Sequence, residues 1–401
     1  MTSRERIQKV IRHEIPDRVP NGLGGGEVSG FHVLSYGNLQ KLFNLPGHAP
    51  RINTFMTNAV FESDMIRAME GDILLIASPR LCKGPLHGDN VHFQWKEQEL
   101  WGRTFRVPVS EHFETQKDGS VLWKTYGSVC PKDSFFFDWP GVTDFFKEFV
   151  YPDPENYNPP DSFADEFLGN LENLAKQLYE ETDYSLSLGE TVTDLQFQPG
   201  GRMGWMVLLK ENPDLMKAYL EKACTASLKQ IALLDQAVGK YVDIMLIADD
   251  IGDNRDVGIG AETWREIYKP FYHRLFHGWH ERTSMKISLH SCGSISSILD
   301  DLIECGLDIL NPVQISANNM KPDMLKDRFG SSLVFYGGDY DSQMMKGRNY
   351  DEVYEHVKNN LNILKKGGGH IFCGVHNLPP DMPEDHIRAF FAAWLDNRNY
   401  S

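Results

Sequence analysis

The sequence predicts a (β/α)8 TIM barrel with an antiparallel hairpin insertion after strand 2. From about residue 162 onward, amphipathic helical stretches alternate with short apolar runs, which is typical of parallel sheets covered by helices. Over the whole chain, eight apolar runs read as parallel strands: 19–23, 72–77, 184–189, 243–248, 286–290, 307–313, 333–338 and 370–375. The alternative is an open doubly wound sheet, which is disfavoured because no dinucleotide fingerprint follows the first strand.

The first quarter of the chain supplies two of these strands. Thr2 and Ser3 begin a helix that should reach about His13, and the first strand then opens into the glycine-rich segment 22–27. No GxGxxG opens a helix there and no Walker lysine follows, so the segment is not a phosphate-binding loop. An active-site loop and a plain turn both remain open. Residues 56–70 have helical periodicity and end at a glycine before the second strand.

Residues 86–130 have a different pattern from the rest. Apolar and polar residues alternate there, and turn residues lie between the alternating runs, which predicts antiparallel hairpins. Residues 131–161 are rich in Pro, Asp and aromatic residues and predict an irregular lid with one short helix. We therefore expect a single barrel domain over residues 1–401 with an insertion at about 86–160.

Helices are expected between the later strands. Asn212 and Pro213 begin one of them, because Asn is a good N-cap and Pro fits the first turn. The predicted helices are 162–181, 215–238, 261–282, 295–303, 322–329, 353–364 and 387–395.

The composition limits the function classes. With 40 basic and 56 acidic residues the formal net charge is −16, which argues against nucleic-acid and anionic-membrane partners. The chain has no apolar run long enough to cross a bilayer, and its start lacks the apolar core of a signal peptide. Six scattered cysteines argue against a disulfide framework, which indicates a reducing, cytoplasmic location. A homodimer is left open.

Polar residues follow the apolar runs at six of the predicted strands. Because the carboxyl ends of barrel strands meet at one face, these side chains should surround a common cavity. For each residue alone, a helix cap or a turn is the simpler explanation. The residues are Glu190, Asp249, Asp250, His290, Cys292, Gln314, Asp339, Cys373 and His376.

The pair His290 and Cys292 suggests a metal site. Residues two apart on a strand face the same way, and imidazole and thiolate are ligands that zinc prefers. The simpler alternative is a buried cysteine beside a solvated histidine. Cys373 or His376 offers a third ligand, and three ligands with an open position are typical of catalytic zinc. Glu190 is a candidate for the fourth position.

The other candidates surround this pair. Asp249 and Asp250 are candidate proton carriers or partners of a metal-bound histidine, although both could simply cap the next helix. Gln314 and Asp339 are candidate substrate-binding residues. Trp205, with Met203 and Phe197, would suit an apolar or aromatic substrate, whereas packing is the simpler role for such residues. We interpret the remaining cysteines as core residues: Cys82, Cys130, Cys224 and Cys305.

Several stretches, taken in order, resemble the uroporphyrinogen decarboxylase superfamily over most of the chain. They are Ser3-Arg4-Glu5-Arg6, Pro16-Asp17-Arg18-Val19-Pro20, Asp249-Asp250-Ile251-Gly252, His290-Ser291-Cys292-Gly293-Ser294, Asp308-Ile309-Leu310-Asn311-Pro312-Val313-Gln314, Gly337-Gly338-Asp339 and Val375-His376-Asn377-Leu378-Pro379-Pro380-Asp381-Met382-Pro383. The segment 22–28 contains no arginine, so the carboxylate clamp of the porphyrinogen decarboxylases is missing. The His-x-Cys motif instead resembles the branch of corrinoid-dependent (cobalamin) methyltransferases.

This resemblance implies zinc bound by His290, Cys292 and a residue near the end of the eighth strand. His376 fits the position of that third ligand, counted back from Pro383. Cys373 fits its ligand type, because the residue in that branch is a cysteine. The resemblance further implies cobalamin carried on a partner corrinoid protein, since the DxHxxG pattern that ligates cobalt is absent from this chain. The expected reaction moves a methyl group from a methylated substrate, such as an aryl methyl ether (O-demethylation), onto cobalt. The alternatives are methyl transfer from methylcobalamin to a thiol, a decarboxylase with Asp249 or His376 as proton donor, and a barrel that only binds a corrinoid or tetrapyrrole.

Overall fold

The computed structural model describes residues 1–54, 56–77, 94–138, 153–193, 195 and 201–400. The strands in chain order are β1 Ile52–Asn53, β2 Asn58–Ala59, β3 Ile73–Ala77, β4 Trp95–Leu100, β5 Arg103–Pro108, β6 Phe113–Thr115, β7 Val121–Trp123, β8 Ser128–Cys130, β9 Ser185–Leu188, β10 Ile244–Ala248, β11 Lys286–His290, β12 Ile309–Asn311, β13 Val334–Tyr336 and β14 His370–Ile371. The helices are α1 Ser3–Val10, α2 Val33–Leu42, α3 Ser63–Ala68, α4 Asp165–Glu181, α5 Gly201–Glu211, α6 Pro213–Val238, α7 Ala261–Ile267, α8 Lys269–His280, α9 Leu299–Cys305, α10 Pro322–Phe329, α11 Ser342–Met345, α12 Tyr350–Leu364 and α13 Glu384–Asn397. Pro154–Asn156 and Ser296–Ile298 form short 3-10 helices.

Seven parallel strands form one curled sheet, in the spatial order β14-β13-β12-β11-β10-β9-β3. The two edges of this sheet meet at Asn21, which makes parallel bridges to Gly71 and to Phe372. The Asp72 N–H donates to the carbonyl oxygen of Asn21 (2.8 Å), and the Phe372 N–H donates to that of Pro20 (2.9 Å). The TIM-barrel prediction is therefore confirmed. The first predicted strand is reduced to a pair of bridges at Asn21.

The barrel closes so tightly at this point that the glycine-rich segment has to approach other strands directly. A Cβ on Gly25 would lie 2.6 Å from Cβ of Ile73, and a Cβ on Gly22 would lie 2.5 Å from the Tyr336 ring. Any larger residue at these positions would force the strands apart. The glycines therefore allow the close packing of the barrel wall, in addition to any role as a loop.

The register of the parallel strands decides which of their ends meet. Ala248 of β10 is paired with His290 of β11, and His290 is paired with Asn311 of β12. Every residue of β11 after Lys286 is buried, because helices cover the outside of the barrel and side chains fill its inside. The residues that follow β10, β11 and β12 therefore emerge side by side at one face.

The insertion contains the predicted hairpins. β4 pairs with β5 in an antiparallel ladder, and β6, β7 and β8 form a three-stranded antiparallel sheet. Within the described part of 131–161, Pro154–Asn156 forms a 3-10 turn, and the short helix expected in this range stays a prediction. Parts of the predicted insertion, 86–93 and 139–152, lie outside the described residues, as does Cys82.

Several helix predictions require correction. The predicted helix at 56–70 is only α3, because Asn58 and Ala59 pair with β1 instead and Thr57 adopts a φ of 54°. The predicted helix at 261–282 is split between α7 and α8 beside Pro270, which lacks the N–H needed to continue a helix. The helices α2, α5 and α11 were not expected. Asn212 caps α6 as predicted, its side chain accepting from the Leu215 N–H (3.1 Å).

Three of the four cysteines interpreted as core residues lie in described parts of the chain. Cys130, Cys224 and Cys305 are all buried and free of disulfide bonds, which agrees with that interpretation. In the described ranges no helix is both long and apolar enough to cross a membrane.

Candidate metal centre and adjoining pockets

Three of the predicted metal ligands come together at the carboxyl ends of the barrel strands. His290, Cys292 and His376 each offer one ligand atom, and the three atoms lie within 4.8 Å of one another. Sγ of Cys292 is 3.4 Å from Nε2 of His290, and the two imidazole rings are 5.3 Å apart between centroids. Among the residues that the structure describes, this is the one group of three or more His, Cys, Asp or Glu side chains with such spacing.

The backbone after β11 turns sharply so that Cys292 faces His290. Gly293 has a φ of 85°, and a Cβ at this position would lie 2.6 Å from the carbonyl oxygen of Asp253. Glycine is therefore required here for both its conformation and its size. The Ser294 N–H donates to the same Asp253 carbonyl oxygen (2.7 Å), which joins this turn to the one after β10.

Asn311 determines which nitrogen of His290 faces the cluster. Its Nδ2 donates to the carbonyl oxygen of Tyr336 (3.2 Å), so its Oδ1 is the atom that lies 2.7 Å from Nδ1 of His290. Since Oδ1 can only accept, Nδ1 of His290 must carry the proton, and Nε2 keeps a free lone pair. This arrangement is the one in which metal-binding histidines are usually held.

The electrostatics suit a site that is completed by a cation. Burial lowers the pKa of His290, and burial together with the neighbouring His290 lowers the pKa of His376 to about 4, so both imidazoles are neutral at pH 7. Burial, reinforced by Asp250, raises the pKa of the Cys292 thiol to about 12. A bound divalent cation would reverse this last effect by stabilising the thiolate. The donor set, two neutral imidazoles and a thiol, fits zinc.

Cys373, the other candidate for the third ligand, is not part of this group. Its side chain is fully buried, its Sγ lies 3.7 Å from the carbonyl oxygen of Ser29, and burial raises its pKa. Its N–H donates to Oδ2 of Asp339 (3.0 Å). The structure thus brings His376 to the pair and leaves Cys373 in the barrel wall.

The three carboxylates proposed for catalysis have different surroundings. Asp250 is closest to the cluster, since its Oδ1 accepts the Cys292 N–H (2.9 Å). Asp249 is buried and accepts a hydrogen bond from the Tyr272 hydroxyl. Glu190 follows β9 by two residues and is partly buried, but it is not a member of the ligand group.

Gln314 and Asp339, the candidate substrate-binding residues, are placed differently. Gln314 accepts the Gly293 N–H at Oε1 (2.7 Å) and donates from Nε2 to Asn254 (3.0 Å), so it braces the turn that carries Cys292. Asp339 is fully buried, and its carboxylate accepts from His370 (3.1 Å) and from the Cys373 backbone. Asp339 therefore lies in the barrel interior, and its role in substrate binding stays a prediction.

Trp205 belongs to an aromatic pocket of about 480 Å³ that also contains Asp249 and Asp250. Its indole N–H donates to the hydroxyl of Tyr268, and both side chains are buried. Trp264, Tyr268 and Tyr272 are the other aromatic residues along its wall. Phe197 and the side chain of Met203, which were expected beside Trp205, lie outside the described residues.

A second pocket, of about 600 Å³, adjoins the metal-ligand group directly. Cys292 and His376 form part of its wall. The other residues along it are Gln314, Ser316, Tyr340, Asp341, Ser342, Gln343, Val375, Asn377 and Leu378. A molecule in this pocket would contact the ligand group, so we take it as the candidate active-site pocket.

Sequence reasoning missed two residues that shape this site. Asn311 is a polar residue at the end of a predicted strand, so the same signal that selected its neighbours could have selected it. Asp341 follows the seventh predicted strand, but it lies two residues beyond Asp339, which was chosen instead. The side chains that reach the pocket depend on how the chain turns after the strand, and the sequence pattern does not contain that turn.

Comparisons with known proteins agree with the fold. Residues 200–395, just under half of the chain, match the family model "Uroporphyrinogen decarboxylase (URO-D)", and this range contains all three residues of the ligand group. A solved methyltransferase from Methanosarcina mazei matches over 99% of this chain and 99% of its own, with a TM-score of 0.57 and 14% sequence identity. A Yersinia pestis DHPS structure with a pterine-sulfa conjugate matches over 59% of this chain and 77% of its own, but its TM-score of 0.24 and identity of 10% carry no argument. No curated protein sequence matches the chain.

The family match supports enzyme activity, and the similarity to the M. mazei structure, at this identity, concerns the fold. Residues 200–395 are therefore similar to the uroporphyrinogen decarboxylase (URO-D) family, and the chain as a whole shares its fold with a methyltransferase.

Proposed function

We propose that this protein is a zinc-dependent methyltransferase that moves a methyl group between a small methylated substrate and the cobalamin of a partner corrinoid protein. The observation that carries this proposal is the convergence of His290, Cys292 and His376 beside an open pocket. The methyltransferase from M. mazei, which shares the fold over the whole chain, supports the reaction class. A cytoplasmic location and a homodimer stay predictions from the sequence.

The proposed zinc would be held by Nε2 of His290, Sγ of Cys292 and an imidazole nitrogen of His376. It would supply Lewis acidity, which stabilises a thiolate or an oxygen leaving group. The protein's own contribution is orientation. Asn311 orients His290 so that Nε2 faces the cluster. Asp250 accepts the Cys292 N–H, and Gln314 accepts the Gly293 N–H, so both stabilise the turn that carries Cys292.

Two versions of this function differ in the direction of methyl transfer. In one, an aryl methyl ether or a similar donor loses its methyl group to cobalt, and the aromatic pocket around Trp205 supports an aromatic donor. In the other, methylcobalamin delivers the methyl group to a thiol. Asp250 lies close enough to Cys292 to influence charge at the site in either case, and Asp249 and Glu190 remain candidates for proton transfer.

A decarboxylase acting on a carboxylated tetrapyrrole is the second candidate function, and the family match favours it. The pocket beside the ligand group argues against it. Arg and Lys are the usual partners of substrate carboxylates, and neither type is among the described residues along this pocket. A substrate with many carboxylates would therefore lack counter-charges there.

Metal analysis tests the proposal. Purified wild-type protein is expected to contain about one zinc per chain, and His290→Ala, Cys292→Ala and His376→Ala are expected to lose most of it. Cys373→Ala should keep its zinc, and Cys305→Ala is a matched control for a buried cysteine far from the site. Zinc-free wild-type protein, or full zinc in Cys292→Ala, would contradict the proposal. Turnover of a carboxylated tetrapyrrole without zinc or corrinoid would favour the decarboxylase instead.

A further inference from the structure

The pocket beside His376 and Cys292 contains a buried carboxylate whose second oxygen has no partner in the described part of the chain. Asp341 is 2% exposed, and it lines this pocket. Its Oδ1 caps α11 by accepting the N–H groups of Gln343 (2.8 Å) and Met344 (3.3 Å). Its Oδ2 is buried and accepts no hydrogen bond from any residue that the structure describes. The capping role thus uses one oxygen and leaves the other available.

Ser316, in the wall of the same pocket, contributes a second buried oxygen of this kind. Oγ of Ser316 is buried without a hydrogen-bond partner among the described residues, and Ser316 also lines the pocket. Buried side-chain oxygens in proteins almost always have a partner, so two such atoms along one pocket indicate a ligand that completes them. A carboxylate oxygen can only accept, so the ligand must present a donor to Asp341.

The charges around the pocket favour a cation. Asp341 is accompanied by Asp250 on the Cys292 side, and the described residues along the pocket include neither Lys nor Arg. His356 lies near Asp341, but burial lowers its pKa, so it is neutral at pH 7 and does not neutralise the carboxylate. An anionic ligand would meet an acidic wall, whereas a cation would gain a counter-ion there.

We infer that this pocket binds a small methylated ammonium ion, such as a protonated secondary amine, through an N–H donated to Oδ2 of Asp341, with Ser316 as a second polar contact. This inference rests on the proposed function, and it narrows the methylated substrate to a class with a positive charge and an N–H group. The pocket borders Cys292 and His376, so an amine held at Asp341 lies in the same space as the metal-ligand group. An uncharged aryl methyl ether has no donor for Asp341 and would leave the carboxylate unpaired.

Binding of dimethylammonium chloride, measured by isothermal titration calorimetry on zinc-loaded protein, tests the inference. Asp341→Asn keeps an oxygen for the cap of α11 but removes the charge, and it is expected to weaken binding at least tenfold. Ser316→Ala should weaken binding about threefold. Asp351→Asn is the matched control, because Asp351 is an exposed acid at the start of α12, away from the pocket, and its affinity should equal that of wild type.

Four results would overturn the inference. They are no binding of dimethylammonium to wild type, equal affinity of wild type and Asp341→Asn, tighter binding of uncharged anisole than of dimethylammonium, and tighter binding of acetate. Thermal melts of each variant check that the fold is retained. The zinc content of the same preparations separates the two proposals. Zinc-free wild type contradicts the methyltransferase. Zinc-loaded protein whose affinity for dimethylammonium is the same in wild type and Asp341→Asn contradicts only the amine specificity.

Discussion

Oδ1 of Asn311 lies 2.7 Å from Nδ1 of His290, while Nδ2 of the same asparagine donates to the carbonyl oxygen of Tyr336. The two contacts together assign the proton of His290 to Nδ1 and leave Nε2 facing Cys292, 3.4 Å from its sulfur. The register of β11 and β12, in which His290 is paired with Asn311, produces this contact.

Removing Asn311 should weaken metal binding without removing a ligand. Asn311→Ala is expected to lower zinc affinity by roughly 10- to 100-fold, the usual effect of losing the partner that orients a metal-bound histidine. Asn311→Asp keeps an acceptor for Nδ1 and should retain most of the affinity. Competition with a chromogenic chelator measures both values. Equal affinities of wild type and Asn311→Ala would show that the contact does not orient the ligand.

Gly293→Ala should disturb the turn that carries Cys292. A residue with a side chain rarely adopts the Gly293 φ of 85°, and an added Cβ would lie only 2.6 Å from the carbonyl oxygen of Asp253. We expect a loss of roughly 1–3 kcal/mol in the free energy of unfolding, together with weaker zinc binding.

Gly169→Ala is the control for this prediction. Gly169 lies within α4, and a Cβ there would meet nothing within 4 Å. The substitution should stabilise the protein by roughly 1 kcal/mol, because Ala is the better helix former. Urea unfolding of both variants gives the comparison, and equal effects of the two substitutions would contradict the argument.

Asp72 should be one of the most important residues for stability. Its buried carboxylate accepts from Arg6 (2.6 Å), from Arg18 (2.8 Å) and from the Asn21 N–H (2.8 Å), where the barrel closes. Asp72→Ala leaves two arginines without their buried partner and should cost roughly 3–5 kcal/mol in the free energy of unfolding. Asp214→Ala, whose side chain is 93% exposed, should change it by less than about 0.5 kcal/mol. Chemical denaturation of both variants checks the difference.

The His280–Asp308 contact should make stability depend on pH. The hydrogen bond to Asp308 raises the pKa of His280 in the folded protein above its ordinary value of 6.5. A raised folded-state pKa means that the contact stabilises the protein fully below about pH 6.5 and is lost as the pH rises through the folded-state pKa. His280→Gln should therefore destabilise the protein more at pH 5.5 than at pH 8.5, as measured by urea unfolding. A larger effect at pH 8.5 would contradict the assignment.

The sequence predicted the barrel well because apolar strand runs and amphipathic helical stretches can each be recognised from neighbouring residues. Each parallel strand is a short apolar run and each helix has its own periodicity, so residues within one element determine both. The strand at Asn21 and the helix at 56–70 were predicted less well. Asn21 forms bridges with Gly71 and Phe372, and Asn58 pairs with β1, so partners elsewhere in the chain decide both conformations.

For the candidate site, the sequence by itself determined which residue types end the strands, and therefore that His290 and Cys292 are neighbours on one strand end. Tertiary structure alone decided that His376 lies beside the pair and that Cys373 does not. After β14 the chain turns, so that the His376 side chain reaches the cluster and the Cys373 side chain lies in the barrel wall. Tertiary structure also decided that Asn311 orients His290 and that Asp341, rather than Asp339, lines the pocket. These outcomes depend on strand register and on turns between strands, and the pattern of residues along a single element contains neither.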